Sequence, residues 1–409
     1  VATLEDAGFQ RVDSRRSADV ILFNTCSVRQ HAEDKVYSAL GRLKHVKEHR
    51  PGTVIGVIGC MAQKDRQRIF RQAPHVDLVV GPGQLSRLVE LIERAKAGDG
   101  PQLAISLDRH AGTRAEVAGS FTRLDFNVPA RRPSGAQAMV RAMFGCDNFC
   151  TYCIVPSVRG PEQCRPADEI VTETRRLADA GCIEVTLLGQ TVNSYVDRSG
   201  GATVRLSDLL YRIHDIDGLQ RIRFVTNYPK HMTDDLLAAV RDLDRVCPYL
   251  HVPAQSGSDA VLRRMKRGYT AAFYRDMLRR IRETIPNAAV TSDFIVGFCG
   301  ETDADFEQTL DLVRHSRFKN SFIFKYSTRP GTKAAELYAD DVSEAVKRRR
   351  NNELLAAQNA VSLEDNLRQV GRQVEVLVEG PSKSARKQGQ EGDRQELVGR
   401  TTCDRIVVF

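Results

Sequence analysis

Three closely spaced cysteines are the residues of this sequence best placed to do chemistry. Cys146, Cys150 and Cys153 have the spacing Cys-x3-Cys-x2-Cys and follow a predicted strand. Thiolates bind iron–sulfur clusters, and a full protein set has four. With no fourth cysteine nearby unless Cys164 serves, one iron would stay open, which is typical of a catalytic metal site. The alternative is zinc, but zinc sites favour two Cys-x2-Cys units, and no second unit exists here.

Two further cysteines stand where predicted strands end. Cys26 follows the strand 19–25, and Cys60 follows the strand 53–59. Ligands of open α/β sheets bind at the carboxyl ends of the strands, which makes both thiols candidate metal ligands. The alternative interpretation is two buried free thiols.

The other five cysteines have no ligand spacing, and we predict packing roles for them. They are Cys164, Cys182, Cys247, Cys299 and Cys403.

Polar side chains near the ends of later predicted strands form a second group of candidates. They are Gln190 and Asn193 after the strand 183–189, Asn227 after 220–226, Gln255 and Ser256 after 247–252, and Asp293 on 288–296. Barrel enzymes place their chemistry at these strand ends. The alternative is that they form turns and caps, above all Ser256 and Asn227.

Length and composition are those of a globular enzyme. The 409 residues are 42% apolar and 27% charged, which excludes a disordered chain, a collagen and a coiled-coil rod. The net charge of +8 favours a nucleic-acid partner weakly. The longest apolar stretch, 54–62, is too short for a membrane span, and the first residues are not a signal peptide. We therefore expect a cytoplasmic protein with reduced thiols.

Residues 1–97 alternate apolar strands with helices. Strands are predicted at 19–25, 53–59 and 76–80, and helices at 30–49, from 63 and at 84–96. The alternation predicts a doubly wound parallel α/β domain. Residues 98–135, which are rich in Gly and Pro, are predicted to form a linker with some extended structure.

Residues 136–362 repeat the alternation six times. Strands are predicted at 137–144, 183–189, 220–226, 247–252, 288–296 and 320–326, and helices near 168–180, 206–216, 233–244, 258–283, 302–316 and 341–362. Six units suit an open (β/α)6 barrel better than a closed eight-stranded barrel.

Residues 363–409 lose the helical period after Leu367. Strands are predicted at 373–378 and 405–409, around a polar loop at 381–394. This pattern predicts a small β-barrel domain. The loop carries Lys383, Arg386 and Lys387, which are candidate phosphate contacts.

Several motifs resemble those of the radical S-adenosylmethionine (SAM) methylthiotransferases. They are NTCSVR at 24–29, GCMAQ at 59–63, GCDNFCTYC at 145–153, GQTVNSY at 189–195 and QSGS at 255–258. The resemblance spans almost the whole chain, and the residues around Cys26 and Cys146 favour the branch that acts on dimethylallyladenosine in tRNA. It implies a methylthiotransferase N-terminal domain over 1–97, a radical SAM barrel over 136–362 and an RNA-binding TRAM domain over 363–409.

The resemblance also implies two 4Fe–4S clusters and SAM as cofactors. Cys146, Cys150 and Cys153 would bind the cluster whose open iron holds SAM. The residues implied to bind SAM are Tyr152, Gln190, Asn193, Asn227, Gln255, Ser256 and Asp293. Cys26 and Cys60 would bind an auxiliary cluster with a third cysteine, which we expect upstream of Val1.

The implied activity is methylthiolation at C2 of N6-dimethylallyladenosine at position 37 of tRNA. The implied partners are the tRNA anticodon loop, an electron donor such as flavodoxin or ferredoxin, and a sulfur source, with the protein a monomer away from membranes. Two alternatives stay open. One is a methylthiotransferase that acts on threonylcarbamoyladenosine or on a ribosomal protein side chain, and the other is a non-catalytic RNA-binding Fe–S protein.

Overall fold

The computed structural model describes residues 2–27, 30–121, 135–388 and 395–409. It divides into two compact units. Unit 1 consists of the described parts of 1–133 with 144–163 and 327–338, and unit 2 consists of the described parts of 134–143, 164–326 and 339–409. The cysteine loop therefore belongs to the same unit as the N-terminal sheet, which the expected boundaries at 97 and 136 did not anticipate.

The N-terminal part of unit 1 has the predicted α/β alternation. Its elements are α1 (Ala2–Asp6), β1 (Val20–Thr25), α2 (Gln30–His49), β2 (Val54–Gly59), α3 (Cys60–Asp65), α4 (Gln67–Gln72), β3 (Leu78–Val80), a 3-10 helix (Pro82–Arg87), α5 (Leu88–Ala97), β4 (Gln102–Ala104) and α6 (Arg114–Ser120). The strands form one parallel sheet in the order β1-β2-β3-β4. Every residue of β2 is buried, as expected for a central parallel strand.

Two features of this sheet differ from the expectations. The helix expected from Gln63 begins at Cys60, so that Cys60 is its first residue. The segment 98–135 contributes the edge strand β4 and helix α6. Gly100 and Pro101 next to so short a strand give a loop signal in the sequence. The rest of that segment, 122–134, lies outside the described residues.

The stretch 135–338 repeats strand and helix. Its elements are β5 (Gln137–Arg141), β6 (Met143–Phe144), α7 (Val155–Arg159), β7 (Gln163–Cys164), α8 (Ala167–Asp179), β8 (Glu184–Leu188), a 3-10 helix (Val192–Ser194), β9 (Val196–Asp197), β10 (Val204–Arg205), α9 (Leu206–His214), β11 (Arg221–Phe224), a 3-10 helix (Pro229–His231), α10 (Asp234–Asp242), β12 (Tyr249–His251), α11 (Asp259–Arg264), α12 (Ala271–Thr284), β13 (Ala289–Val296), α13 (Asp303–Ser316), β14 (Asn320–Lys325) and α14 (Lys333–Leu337).

Six parallel strands of unit 2 follow one another in chain order. Strands β5, β8 and β11 form one three-stranded sheet, and β12, β13 and β14 form another. A parallel bridge between Ile222 and Val246 joins the two, and the Cys247 amide donates to the Ile222 carbonyl at 2.9 Å. All six strands therefore run in the same direction, and four of them, β8, β11, β12 and β13, carry or precede candidate residues.

One helix expected in unit 2 is broken. The segment 258–283 contains α11 and α12 instead of a single helix. Lys266 and Gly268 between them have φ values of 56° and 69°, which end a right-handed helix. The apolar periodicity continues across this break, which is why the sequence indicated one helix.

The C-terminal segment forms a small antiparallel sheet after a long helix. Its elements are α15 (Glu344–Leu367), β15 (Val376–Pro381), α16 (Lys383–Gln388), β16 (Leu397–Thr401) and β17 (Ile406–Val408), with the strands in the order β15-β16-β17. The predicted polar loop 381–394 contains α16, and its last six residues lie outside the described part of the chain. Strand β16 was not predicted.

Within the described residues, we find no helix that combines the length and the apolar character needed to span a membrane.

Candidate functional site

The loop with the three cysteines is fixed at its first residue by backbone geometry. Gly145 has a φ of 77°, and a Cβ there would collide with the Pro161 carbonyl oxygen. The next residue, Cys146, donates its amide hydrogen to the Gly160 carbonyl at 3.2 Å. At the other end, the Cys153 amide donates to the Cys150 carbonyl at 3.0 Å. The loop therefore has a defined path without regular secondary structure.

Two arginines hold the loop from outside. Arg109 donates to the Cys146 carbonyl at 3.2 Å, forms an ion pair with Asp147 and places its guanidinium 4.2 Å from the centre of the Phe149 ring. Arg114 donates to the other Asp147 oxygen at 2.7 Å. Burial opposes ionisation of Asp147, but the two arginines hold the pKa of its carboxyl below the usual range. Neither arginine carries a specific signal in the sequence.

The three thiols suit a cluster that binds one iron at each sulfur. Cys146 and Cys150 are each 8% exposed, and Cys153 is half-buried. Burial raises the pKa of the Cys146 thiol, and the side-chain Nδ2 of Asn148 donates to its sulfur at 3.6 Å. No group of three or more His, Cys, Asp or Glu side chains in the described ranges is arranged around a single metal ion. A cubane cluster does not need such a group, since its thiolates bind different irons.

The N-terminal sheet brings Cys26 and Cys60 to the same edge. Thr25 at the end of β1 pairs in parallel register with Gly59 at the end of β2. The two cysteines are therefore the residues that directly follow two neighbouring strands. Gly59 has a φ of 96°, and a Cβ there would lie 2.5 Å from the Thr25 carbonyl oxygen. Cys26 is exposed and Cys60 is buried. The expected position of both thiols at strand ends is confirmed.

Cys60 also contacts the helix that follows the three-cysteine loop. It packs against Ile154 and Val158, and Arg159 Nε donates to its sulfur at 3.4 Å. All five candidate ligand cysteines therefore lie in unit 1. Sequence reasoning missed Arg159, because a single arginine in a short helix carries no signal of its own.

Among the residues implied to bind SAM, Gln190 and Asn227 each have a buried amide oxygen without a hydrogen-bond partner in the part of the chain that is described. The Asn227 amide nitrogen donates to the His251 carbonyl at 3.0 Å, which fixes the orientation of that side chain. An unpartnered buried oxygen is costly, so these two atoms suit donor groups of a ligand.

Two other candidates already have structural partners. The Asn193 side chain donates to the Tyr228 carbonyl at 2.9 Å and accepts from the Tyr228 amide at 2.8 Å. Ser256 Oγ lies 3.2 Å from Thr309 Oγ1 and accepts from the Ser258 amide at 3.1 Å. Asn193 joins the loops after β8 and β11, and Ser256 holds its own turn and contacts α13, which is the turn-forming role that the sequence left open.

Gln255 and Asp293 lie on neighbouring backbone segments. Gln255 is buried, has a φ of 71° and donates its amide hydrogen to the Asp293 carbonyl at 2.8 Å. Asp293 Oδ1 lies 3.1 Å from His251 Nε2, and the His251 ring meets Phe322 edge to face. Sequence reasoning did not identify His251. It lies two residues after Tyr249 on a strand, and therefore on the same face of that strand as Tyr249. Tyr152 is half-buried in unit 1.

The remaining cysteines are placed in the protein interior or partly buried. Cys182, Cys247 and Cys299 are buried, and burial raises the pKa of Cys247 to about 11. Cys164 is half-buried and its sulfur accepts from the Val196 amide at 3.4 Å. The pKa of Cys403 is raised by burial as well. Thiols held protonated in this way suit packing roles.

Two protein families match this chain. Residues 140–313 match the Radical SAM superfamily, and residues 1–81 match the Uncharacterized protein family UPF0004. The first match contains the three-cysteine loop, and the second contains Cys26 and Cys60.

Curated relatives match over the full length of the chain. A tRNA-2-methylthio-N(6)-dimethylallyladenosine synthase from Rhodopirellula baltica is 56% identical over 100% of this chain and 86% of its own length. Synthases of the same name from Moorella thermoacetica and Carboxydothermus hydrogenoformans are each 43% identical over 99% of this chain and 87% and 88% of their own lengths.

Solved structures share the fold at low sequence identity. The radical S-adenosylmethionine methyltransferase TsrM from Kitasatospora setae matches with a TM-score of 0.57 at 15% identity, over 81% of this chain and 69% of its own. The cobalamin-dependent S-adenosylmethionine radical enzyme OxsB matches with a TM-score of 0.50 at 12% identity, over 86% of this chain and 53% of its own.

Proposed function

The chain belongs to the family of the tRNA-2-methylthio-N(6)-dimethylallyladenosine synthases, and we propose on that premise that it adds a methylthio group at C2 of N6-dimethylallyladenosine in tRNA. The observation that carries the proposal is the three-cysteine loop inside a chain that is 56% identical to such a synthase from end to end. We assign the modified base to position 37, beside the anticodon. A base in a loop leaves its stack at a cost of only a few kcal/mol.

In this proposal, Cys146, Cys150 and Cys153 hold a 4Fe–4S cluster and leave one iron for SAM. Bound there, the cluster supplies the electron that cleaves SAM reductively. The protein keeps the loop in place through the Arg109 contacts and the positive φ of Gly145.

We also propose that polar groups on and after the parallel strands recognise SAM. The buried oxygens of Gln190 and Asn227 would accept hydrogen bonds from SAM, since both lack a protein donor among the described residues. Gln255 follows the next strand, β12, and Asp293 lies on β13. Asn193 and Ser256 act indirectly: Asn193 joins two loops through Tyr228, and Ser256 holds its own turn through Ser258.

We assign a second 4Fe–4S cluster to the edge of the N-terminal sheet. Cys26 and Cys60 follow directly paired strand residues, which supports their acting together. A further thiolate would complete their ligand set. This cluster would hold the sulfur that is methylated and transferred.

The chain order of six parallel strands supports an open radical SAM barrel, and the antiparallel C-terminal sheet supports a TRAM domain that binds RNA. We further propose a cytoplasmic monomer that takes electrons from a flavodoxin or ferredoxin and sulfur from an external source.

Reductive SAM cleavage by the purified full-length protein tests the first cluster. We expect Cys146→Ala to abolish 5′-deoxyadenosine formation under dithionite after anaerobic reconstitution. The matched control is Cys182→Ala, which removes a buried thiol just before β8 and should keep the activity. Undiminished cleavage by the Cys146→Ala protein would contradict the radical SAM assignment.

The second cluster is tested with the same assay and a tRNA substrate. The Cys26→Ala/Cys60→Ala variant should cleave SAM but form no methylthio product, and its iron content should fall by about one cubane. Full product formation by this variant would remove the two cysteines from the mechanism.

A further inference from the structure

Arg159 lies shortly after the three-cysteine loop, and its side chain makes a hydrogen bond to Cys60 at the edge of the N-terminal sheet. Its Nε donates to Cys60 Sγ at 3.4 Å, within unit 1. Arginine stays protonated at every physiological pH, so this contact brings a permanent positive charge to the sulfur. Hydrogen bonds from charged donors are roughly twice as strong as neutral ones.

The position of Arg159 is fixed by aromatic packing. Its guanidinium lies 5.8 Å from the centre of the Phe144 ring, and Phe144 packs against the buried Phe121 ring at 6.1 Å. The next residue, Gly160, has a φ of 69°, and a Cβ there would lie 2.6 Å from the Phe121 ring. Residues 159–160 therefore have little freedom to move away from Cys60.

The same two residues contact both cysteine groups. The Gly160 carbonyl accepts the amide hydrogen of Cys146 at 3.2 Å, while the Arg159 side chain reaches Cys60. A single turn of backbone thus fixes the first cysteine of the loop and donates to the sulfur at the sheet edge.

We propose that Arg159 is a positioning residue for the auxiliary cluster, which donates a charged hydrogen bond to the Cys60 thiolate and makes that cluster easier to reduce. The inference rests on the proposed function, because it takes Cys60 as a cluster ligand. Hydrogen bonds to ligand sulfurs and nearby charge are among the factors that set the potentials of Fe–S clusters. A positive charge beside the sulfur favours the reduced state, which carries one more negative charge.

The test is a potentiometric titration of the auxiliary cluster, followed by electron paramagnetic resonance. It uses the full-length protein with Cys146, Cys150 and Cys153 replaced by Ala, so that only the auxiliary cluster contributes. In that background we expect Arg159→Gln to lower the ratio of reduced to oxidised cluster about tenfold at a fixed potential, which is about 59 mV for one electron.

Two further variants separate charge from packing. Arg159→Lys keeps a charged donor and should keep the potential near that of the parent. Arg87→Gln removes an exposed arginine of the same unit that pairs with Glu90, and it should leave both potential and iron content unchanged. If the Arg159→Gln protein does not retain the iron of the auxiliary cluster, the Arg159→Lys variant decides. An Arg159→Lys protein that retains the iron and has the reduction potential of the parent supports the same role.

The outcomes distinguish this inference from the function on which it rests. An unchanged potential in Arg159→Gln, with full iron content, overturns the inference and leaves the proposed function standing. Loss of iron in both Arg159→Gln and Arg159→Lys also overturns it, since only packing would then matter. A parent protein that binds no auxiliary cluster overturns the Cys60 assignment and the inference together.

Discussion

Gly145 begins the three-cysteine loop in a conformation that other residues rarely adopt. Its φ of 77° costs a side-chain-bearing residue about 1–2 kcal/mol, and a Cβ would also collide with the Pro161 carbonyl. We expect Gly145→Ala to lower the free energy of unfolding by about 2–4 kcal/mol and to reduce the iron bound at the loop.

Urea unfolding and iron analysis after anaerobic reconstitution check this prediction. The matched control is Gly41→Ala in α2, where a Cβ would meet nothing within 4 Å and no positive φ is needed. That change should stabilise the protein by about 0.5–1 kcal/mol. Full iron content in Gly145→Ala would contradict the prediction, because the loop would then tolerate the displacement that the added Cβ causes.

The buried carboxyl of Glu301 makes the stability of the folded protein depend on pH. Burial raises its pKa to about 7, although Oε2 accepts from the Gly297 amide at 2.6 Å and from Arg350 at 2.8 Å. Because the folded state holds this proton more tightly than the unfolded state, its stabilisation is complete below pH 4.5 and is lost as the pH rises through 7. The loss is about 3 kcal/mol.

Glu301→Gln, which resembles the protonated acid, should lack this dependence. The measurement is the difference in unfolding free energy between parent and variant from pH 4.5 to 8. We expect the parent to lose stability relative to Glu301→Gln over that range. A difference that does not change with pH would mean that Arg350 keeps the carboxylate ionised throughout.

At the scale of elements, helix α16 presents the basic side chains of the C-terminal segment. Lys383 and Arg386 are both exposed, and Arg386 Nε also donates to the Pro381 carbonyl at 3.0 Å. If this helix contacts phosphates, Lys383→Gln/Arg386→Gln should weaken tRNA binding and reduce the slope of log K against log salt by about 2.

Binding isotherms at three salt concentrations check this. The control is Arg241→Gln/Arg279→Gln, which removes two exposed arginines that already pair with Asp242, Asp276 and Glu283. The control should leave the slope unchanged. Equal slopes for the two double variants would move RNA recognition to other surfaces.

The elements that the sequence predicted best are those with one dominant signal. Helix α2 was predicted with its observed bounds, because four apolar residues share one face over its whole length. Strand β4 was missed because three residues after Gly100-Pro101 are too few for a pattern. Helix α16 was missed because its composition is that of a loop, and it shows no apolar periodicity around the buried Ala385.

At the scale of the whole molecule, the C-terminal sheet is tied into unit 2 by buried arginines. Arg221 donates to the Arg400 carbonyl at 2.9 Å, and Arg223 donates to the Thr401 carbonyl at 2.8 Å. Both side chains are about 95% buried and share Glu184. Deleting residues 364–409 would leave the buried Arg221 and Arg223 without these hydrogen-bond partners and would disturb unit 2. Surface substitutions on α16 therefore test RNA binding without this effect on folding.

The candidate site was predictable where chemistry depends on residue type and spacing. The three-cysteine spacing and the strand-end positions of Cys26 and Cys60 can be read along the chain. Contacts between distant segments cannot, since Arg109 lies 37 residues before Cys146, and Arg159 lies 99 residues after Cys60. The double hydrogen bond of Asn193 to Tyr228 likewise depends on two loops meeting in space.

The central claim is the reaction on dimethylallyladenosine, and nucleoside mass spectrometry of cellular tRNA tests it most directly. A bacterial strain without its own methylthiolating synthase would carry the full-length gene or its Cys150→Ala variant. We expect the methylthio derivative of dimethylallyladenosine to appear with the gene and only dimethylallyladenosine with the variant. Unmodified dimethylallyladenosine with the intact gene, or a methylthio group on threonylcarbamoyladenosine instead, would contradict the account.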